Sequence, residues 1–164
     1  MENFKIDVDS DGIALITFDV PGRSMNTITG SVMRELVEIA DKIKTDDKIK
    51  GAVITSGKTS GCCAGADLGE LNQRGAAQEA APKSEEERLK AQFEGSFLLN
   101  KTLRTLETCG KPVACALEGL ALGGGLEIAL ACHARFAADN PKIKFGLPES
   151  KGGLLPGACG RQRL

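Results

Sequence analysis

Val113-Ala-Cys-Ala-Leu-Glu-Gly-Leu-Ala-Leu-Gly-Gly-Gly-Leu-Glu-Ile-Ala-Leu-Ala-Cys132 decides how the rest of the chain is read. Its opening, Val113 to Leu117, is a short apolar run of the kind found in buried parallel strands. Gly123-Gly-Gly125 then opens a short helix, although glycine costs about 1 kcal/mol in a helix relative to alanine. Three together suggest close backbone approach to something. N–H groups at a helix N-terminus are unpaired and lie at the positive end of the dipole, so they can hold a developing oxyanion. The same glycines also suit a tight strand-to-helix packing turn. Glu127 falls in the first turn, near any oxyanion bound there, and is equally a good residue for the helix dipole. The stretch is apolar enough to be weighed as a membrane span. Glu118 and Glu127 interrupt it, and a charge in mid-span costs roughly 2.5–3.5 kcal/mol. It reads as a soluble core segment with a functional break.

Outward from this stretch the chain alternates strands and helices. Phe4 to Val8, the turn Asp9–Gly12 and Ile13 to Phe18 read as a β-hairpin. Pro21-Gly-Arg-Ser-Met-Asn26 is an irregular loop. Thr29 caps a helix whose apolar residues Val32, Leu36, Ile39 and Ile43 recur at helical spacing. Gly51 to Ser56 is a second buried strand. Residues 74–83, RGAAQEAAPK, carry no steady period and are expected to form a mobile loop. Ser84 and Glu87 make a capping box for a long helix supported by Leu89, Phe93, Leu99, Leu103 and Leu106. That helix is expected to stop at Cys109-Gly110, before Pro112. Arg135 to Ala138 is a last strand. The order predicts an α/β fold with a largely parallel sheet.

Composition narrows the chemistry. The 164 residues suit about one domain. Hydrophobic residues make up 41% and charged residues 26%, an ordinary globular balance. The net charge of −1 gives no case for nucleic acid or an anionic membrane. With no Trp, no Tyr and one His, most routes to a Ser-His-Asp hydrolase, a multi-His metal site or an aromatic RNA platform close. His133 itself is expected to complete a helix dipole. The cysteines Cys62, Cys63, Cys109, Cys115, Cys132 and Cys159 form no C-x-x-C and match no zinc spacing. Buried, reduced thiols and a cytoplasmic setting are expected, and no signal peptide is evident.

Two nucleotide motifs fail. Ser56-Gly-Lys-Thr-Ser60 resembles the end of a P-loop, but the upstream Gly51 is wrongly spaced and precedes its strand. Gly123–Gly125 lacks the third glycine of a dinucleotide fingerprint. A second acid, Glu149, follows a strand and a proline in Phe145-Gly-Leu-Pro-Glu149. Two carboxylates around one small site can perform acid–base chemistry on water, although many such residues are only solvated surface charges.

Three of these segments, in order, resemble the enoyl-CoA hydratase/isomerase (crotonase) family. Cys63-Ala-Gly-Ala-Asp-Leu68 is similar to its first oxyanion segment, and Gly119 to Ala129 to its second. Phe145 to Glu149 with Leu154-Leu-Pro-Gly157 is similar to its second acid and the turn that follows. Pro21 to Asn26 and Ala137-Ala-Asp-Asn-Pro141 most resemble the fatty-acid-oxidation members, in which the hydratase is one region of a multifunctional alpha subunit. The resemblance implies an α/β, crotonase-like (ClpP/crotonase ββα-superhelix) fold. Residues 1–164 would be a partial domain, C-terminally truncated and lacking the family's last helices. It implies a lyase that adds water to a trans-2-enoyl-CoA in fatty-acid β-oxidation. The backbone N–H groups of Ala66 and Gly124 would form the oxyanion hole, and Glu127 and Glu149 would be the catalytic acids. Met25, Ala64, Asp67 and Leu68 would contact the CoA moiety. No metal or other cofactor is implied, coenzyme A being part of the substrate. Full-length relatives are expected as homo-trimers or hexamers, or in a fatty-acid oxidation complex, with no membrane span and no nucleic acid. A non-catalytic relative that binds acyl-CoA or a partner subunit, and a Δ3-Δ2-enoyl-CoA isomerase, are the alternatives. The final run, Gly157-Ala-Cys-Gly-Arg-Gln-Arg-Leu164, departs from the family's G-A-G-G-T-Q-R-L at Cys159 and Arg161.

Overall fold

A computed structural model describes residues 1–80 and 84–164. Strands β1 (Phe4–Val8) and β2 (Ile13–Phe18) form the hairpin, with Phe4 opposite Phe18. The two rings stack at 4.5 Å. From β2 onward pairing is parallel. Ile16 sits beside Ile54 of β3 (Gly51–Ser56), and Ile54 beside Cys115 of β5 (Val113–Leu117). Strand β7 (Ala134–Ala137), one residue earlier than the pattern predicts, closes a five-stranded sheet of order β1-β2-β3-β5-β7.

Helix α1 (Gly30–Thr45) buries the expected stripe of Val32, Leu36, Ile39 and Ile43. The Thr29 hydroxyl accepts from the Val32 N–H at 3.3 Å and satisfies one unpaired donor of the first turn. Helix α1 packs on α3 (Glu85–Glu107), which begins at the Ser84–Glu87 capping box. Leu103 and Leu106 of α3 are fully buried, whereas Leu89 and Phe93, expected to support the helix, are exposed at 61% and 66%. The apolar stripe is therefore used only in the C-terminal half. The helix also ends earlier than expected, at Glu107 with Thr108 as its cap, and the left-handed residue is Gly110 (φ 78°).

A second, three-stranded parallel sheet is not expected from the sequence, apart from the strand before Glu149. It pairs β4 (Gly61–Cys63), β6 (Leu120–Leu122) and β8 (Phe145–Gly146) in that order. Helix α2 (Leu68–Ala80) corrects the expectation of a loop over residues 74–83, because its helix runs through residue 80. Residues 81–83 lie outside the described residues. Asp67 caps α2, its Oδ1 accepting from the Glu70 N–H at 2.9 Å. The alanines that follow favour a helix without needing a periodic apolar face. Helix α4 (Gly124–Ala131), a 3-10 turn (Pro148–Gly152) and a last turn of helix, α5 (Gly160–Arg163), complete the order. Among the described residues no helix is long and apolar enough to cross a membrane.

One polar residue ties the loop before α1 into this frame. Asn26 is fully buried, with Oδ1 accepting from the Val20 N–H and Nδ2 donating to the carbonyls of Phe18 and Cys62. A buried backbone group left unpaired costs roughly 1–3 kcal/mol. Asn26→Ala removes all three bonds and strands the buried Val20 N–H, while the Phe18 carbonyl keeps the Gly57 N–H; it is expected to destabilise the protein by about 2 kcal/mol, as measured by urea unfolding.

Candidate active site

The loop after β4 and the loop entering α4 lie side by side because their backbones nearly touch. At Gly125 a methyl group would stand 2.7 Å from Cβ of Cys63, and closer still to the Cys63 carbonyl oxygen. Only glycine allows that approach. Gly123, the N-cap of α4, takes the left-handed φ of 53°, and Gly65 takes φ 91°. The loop before α1 completes the junction through a single parallel bridge. The Ile28 N–H donates to the Gly65 carbonyl at 2.8 Å, and the Asp67 N–H donates to the Ile28 carbonyl at 3.1 Å. Ala66, between those two bonds, is left with its own N–H facing the other way. Neither the Ala66 nor the Gly124 N–H has an acceptor among the described residues. The glycine run thus contains a packing turn at Gly125 and, at Gly124, a helix N-terminal N–H with no acceptor among the described residues.

These segments border a cavity of about 520 Å³. Its walls include the apolar side chains of Ile28, Met33, Leu71, Leu99, Leu154 and Leu155. Both predicted acids, Glu127 and Glu149, line it together with Ala64, Ala66, Asp67, Leu68 and Gly124. Met25 does not: it is half-buried on its loop, outside the cavity lining. Asp67 is engaged elsewhere, in an ion pair with Arg23 at 2.5 Å and in capping α2. The Glu70 N–H and Arg23 hold its carboxyl below the usual range.

Glu127 is 2% exposed. Its Oε1 accepts two backbone hydrogen bonds, from Ala158 at 2.8 Å and from Gly160 at 2.9 Å. Its Oε2 turns toward Gly124, where a methyl group would lie 3.9 Å away. Burial pushes the Glu127 carboxyl upward, the Gly160 and Ala158 N–H groups partly offset it, and the nearby Glu149 carboxylate raises it further. Glu149 reaches the cavity from the 3-10 turn, started by Pro148. Its Oε1 comes within 3.0 Å of the position a Gly123 methyl group would take, and its buried Oε2 has no hydrogen-bond partner among the described residues. A carboxylate oxygen so placed needs a donor from whatever occupies the cavity.

Ala158 and Gly160 were not legible as functional positions. The available signal was physical: a carboxylate in the first turn of an apolar helix must find donors, and the small residues Gly157 to Gly160 can turn their N–H groups inward. The remaining candidates are structural. His133 accepts the Val113 N–H at Nδ1 and faces the Glu107 carbonyl at Nε2, which places its proton on Nε2. Five cysteines are buried and Cys159 is partly exposed, all as free thiols. Burial pushes the Cys63 thiol up to about 12, so it is neutral and its Sγ accepts the Gly65 N–H at 3.4 Å. Among the described residues no group of His, Cys, Asp or Glu could hold a metal ion.

Glu127 sets a pH dependence whose sign is fixed. Its folded-state carboxyl titrates above the ordinary 4.5, so the folded protein holds the proton where the unfolded chain has lost it. The contribution is fully present below the ordinary value and is lost as pH rises through the raised one. Glu127→Gln keeps an acceptor for both N–H groups without the charge. Thermal unfolding between acid and neutral pH is expected to show the variant gaining stability relative to the parent as pH rises.

The family model for enoyl-CoA hydratase/isomerase matches residues 9–164. The fatty acid oxidation complex subunit alpha of Idiomarina loihiensis is 41% identical over 161 residues, covering 98% of this chain and 21% of the relative. That of Shewanella frigidimarina is 42% identical over 163 residues, covering 99% and 21%. The chain thus spans about a fifth of the length of the curated relatives it matches. Among solved structures, an enoyl-CoA hydratase from Geobacillus kaustophilus superposes with a TM-score of 0.82 at 32% identity, over 99% of this chain and 55% of that one. The enoyl-CoA hydratase from Bacillus anthracis gives 0.78 at 29%, over 98% and 56%. The chain belongs to the enoyl-CoA hydratase/isomerase family and has its crotonase-like fold.

Proposed function

We propose that the cavity hydrates a trans-2-enoyl-CoA thioester, as in fatty-acid β-oxidation. The observation that carries this reading is the convergence of two unpaired N–H groups, on Ala66 and Gly124, with two carboxylates on one largely apolar cavity. The thioester oxygen accepts both N–H bonds, which draws electron density from the β-carbon. Water held between Glu127 and Glu149 adds its oxygen to that carbon, and one carboxylate takes the released proton. The enolate oxygen that forms is stabilised by the same two donors, each worth roughly 2.7–4 kcal/mol in a comparable oxyanion hole. A proton delivered to the α-carbon from the other carboxyl group, which enters the step protonated, completes a syn addition. Glu149 Oε2 then has the donor that the fold itself does not provide, the nucleophilic water.

The apolar walls suit the acyl chain, and the segment Ala64 to Leu68 at the cavity rim suits the CoA moiety, which needs no additional cofactor. The fatty-acid oxidation names carried by the relatives support the substrate class. We extend the proposal to residues 1–164 as a partial hydratase/isomerase domain, to a cytoplasmic setting, and to assembly as a trimer, a hexamer or a fatty-acid oxidation complex.

The test is hydration of crotonyl-CoA, followed by loss of the enoyl-thioester absorbance. Glu149→Gln is expected to lower kcat about 10²- to 10⁴-fold, the usual worth of a positioned acid or base. Unchanged hydration in the variant contradicts the two-acid site. Turnover of a Δ3-enoyl thioester without hydration would instead favour the isomerase.

A further inference from the structure

We infer that Arg163 is a positioning residue: clamped to Glu107 on α3, it holds the 157–160 loop so that the Ala158 and Gly160 N–H groups meet Oε1 of Glu127, leaving Oε2 as that residue's one proton-exchanging oxygen. The functional half of this inference rests on the hydration reading above; the geometric half stands without it.

The loop cannot hold its own shape. Helix α5 is a single turn of four residues, too short to be stable alone. Its N-cap, Cys159, is the one non-glycine described residue with a left-handed backbone (φ 61°), and it makes no side-chain cap. Yet the loop must be accurately placed. The Ala158 and Gly160 donors, on either side of Cys159, converge on one oxygen, and a methyl group at Gly160 would come within 2.9 Å of Cγ of Glu127.

The missing rigidity comes from α3. Arg163 Nε donates to Glu107 Oε1 at 2.6 Å and Nη2 donates to Glu107 Oε2 at 3.0 Å, a two-point fork on one carboxylate. Nη1 of the same guanidinium donates to the carbonyl of Ala158, the residue whose N–H holds Glu127. The Arg163 side chain is only 10% exposed, and its pairing holds the Glu107 carboxyl below the usual range. Two turns back along α3, Asn100 Nδ2 donates to the Gly157 carbonyl at 2.5 Å. The loop is thus fastened at both ends to the face of a helix whose Leu103 and Leu106 are buried in the core. Lysine could supply the charge at position 163 but not the planar fork with a third donor.

Besides the two N–H groups, the charged groups acting on Glu127 are Glu149 and Arg163. The test must separate positioning from direct charge. Glu107→Gln does so by sign: it removes a negative charge, which by electrostatics alone lowers the Glu127 carboxyl, whereas loss of the two N–H bonds raises it. The measurement is an NMR titration of the ¹³C-labelled Glu127 carboxyl and the Ala158 and Gly160 amides, in a Glu149→Gln background so that one acid titrates. Glu107→Gln is expected to move the Glu127 midpoint up by about half a unit or more, and the two amide protons should stop tracking it. Arg163→Lys, which keeps the charge and removes the fork, should shift in the same direction, so one variant that fails to fold does not leave the matter undecided. A midpoint that stays or falls, with both amides still tracking, overturns the clamp. No turnover is needed for this readout. A protein that titrates as expected but hydrates nothing defeats the hydration reading alone, and an active hydratase with an unmoved midpoint defeats the clamp alone.

Discussion

A carboxylate shut away from water must be given hydrogen-bond donors by the chain, and most of the site follows from how Glu127 is given them. Ionised carboxylates bury poorly because desolvation opposes the charge. Two backbone N–H groups answer part of that cost at Oε1, and no described residue donates to the other oxygen. Burial and the neighbouring Glu149 carboxylate still hold the Glu127 carboxyl above its ordinary range. Meeting this condition explains why a turn at the end of the described chain lies against the first turn of α4.

The second constraint is the meeting of three backbones. The Cys63–Gly125 contact and the Ile28–Ala66 bridge bring together loops 62 and 38 residues apart in the chain. Each leaves one N–H without a partner among the described residues, at Ala66 and at Gly124. Since backbone donors carry no side-chain freedom, they are preorganised before any ligand arrives, which is what makes such donors effective. The five-stranded sheet and α1 supply the rigid frame. The small second sheet carries β4 and β6 directly into the two donor segments, and β8 leads toward Glu149.

Much of this was legible in the residues. Gly51 to Ser56 and Val113 to Leu117 are apolar runs that match their strands residue for residue, and the α1 stripe is buried as its spacing requires. The pairing of Glu127 with Glu149 came from a resemblance carried by three ordered segments, and both residues do line one cavity. The second sheet was not legible, because strands of two or three residues are too short to show a period. Helix α2 was missed because an alanine-rich run without an apolar stripe looks like a loop, although its cap and its intrinsic propensity favour a helix. The donors at Ala158 and Gly160 were invisible for a different reason: every residue except proline has an N–H, so its direction has no signature in side-chain identity. The Arg163–Glu107 fork joins residues 56 apart, and a sequence gives no distance across that interval.

In the proposed hydration the N–H groups of Ala66 and Gly124 polarise a thioester carbonyl. Infrared difference spectroscopy of ¹³C=O-labelled crotonyl-CoA, bound to the slow Glu149→Gln variant, reads that bond directly. The expected carbonyl stretch is shifted to lower frequency than in water, because two fixed donors pull charge onto the oxygen. A bound thioester whose stretch stays at or above its value in water would contradict it.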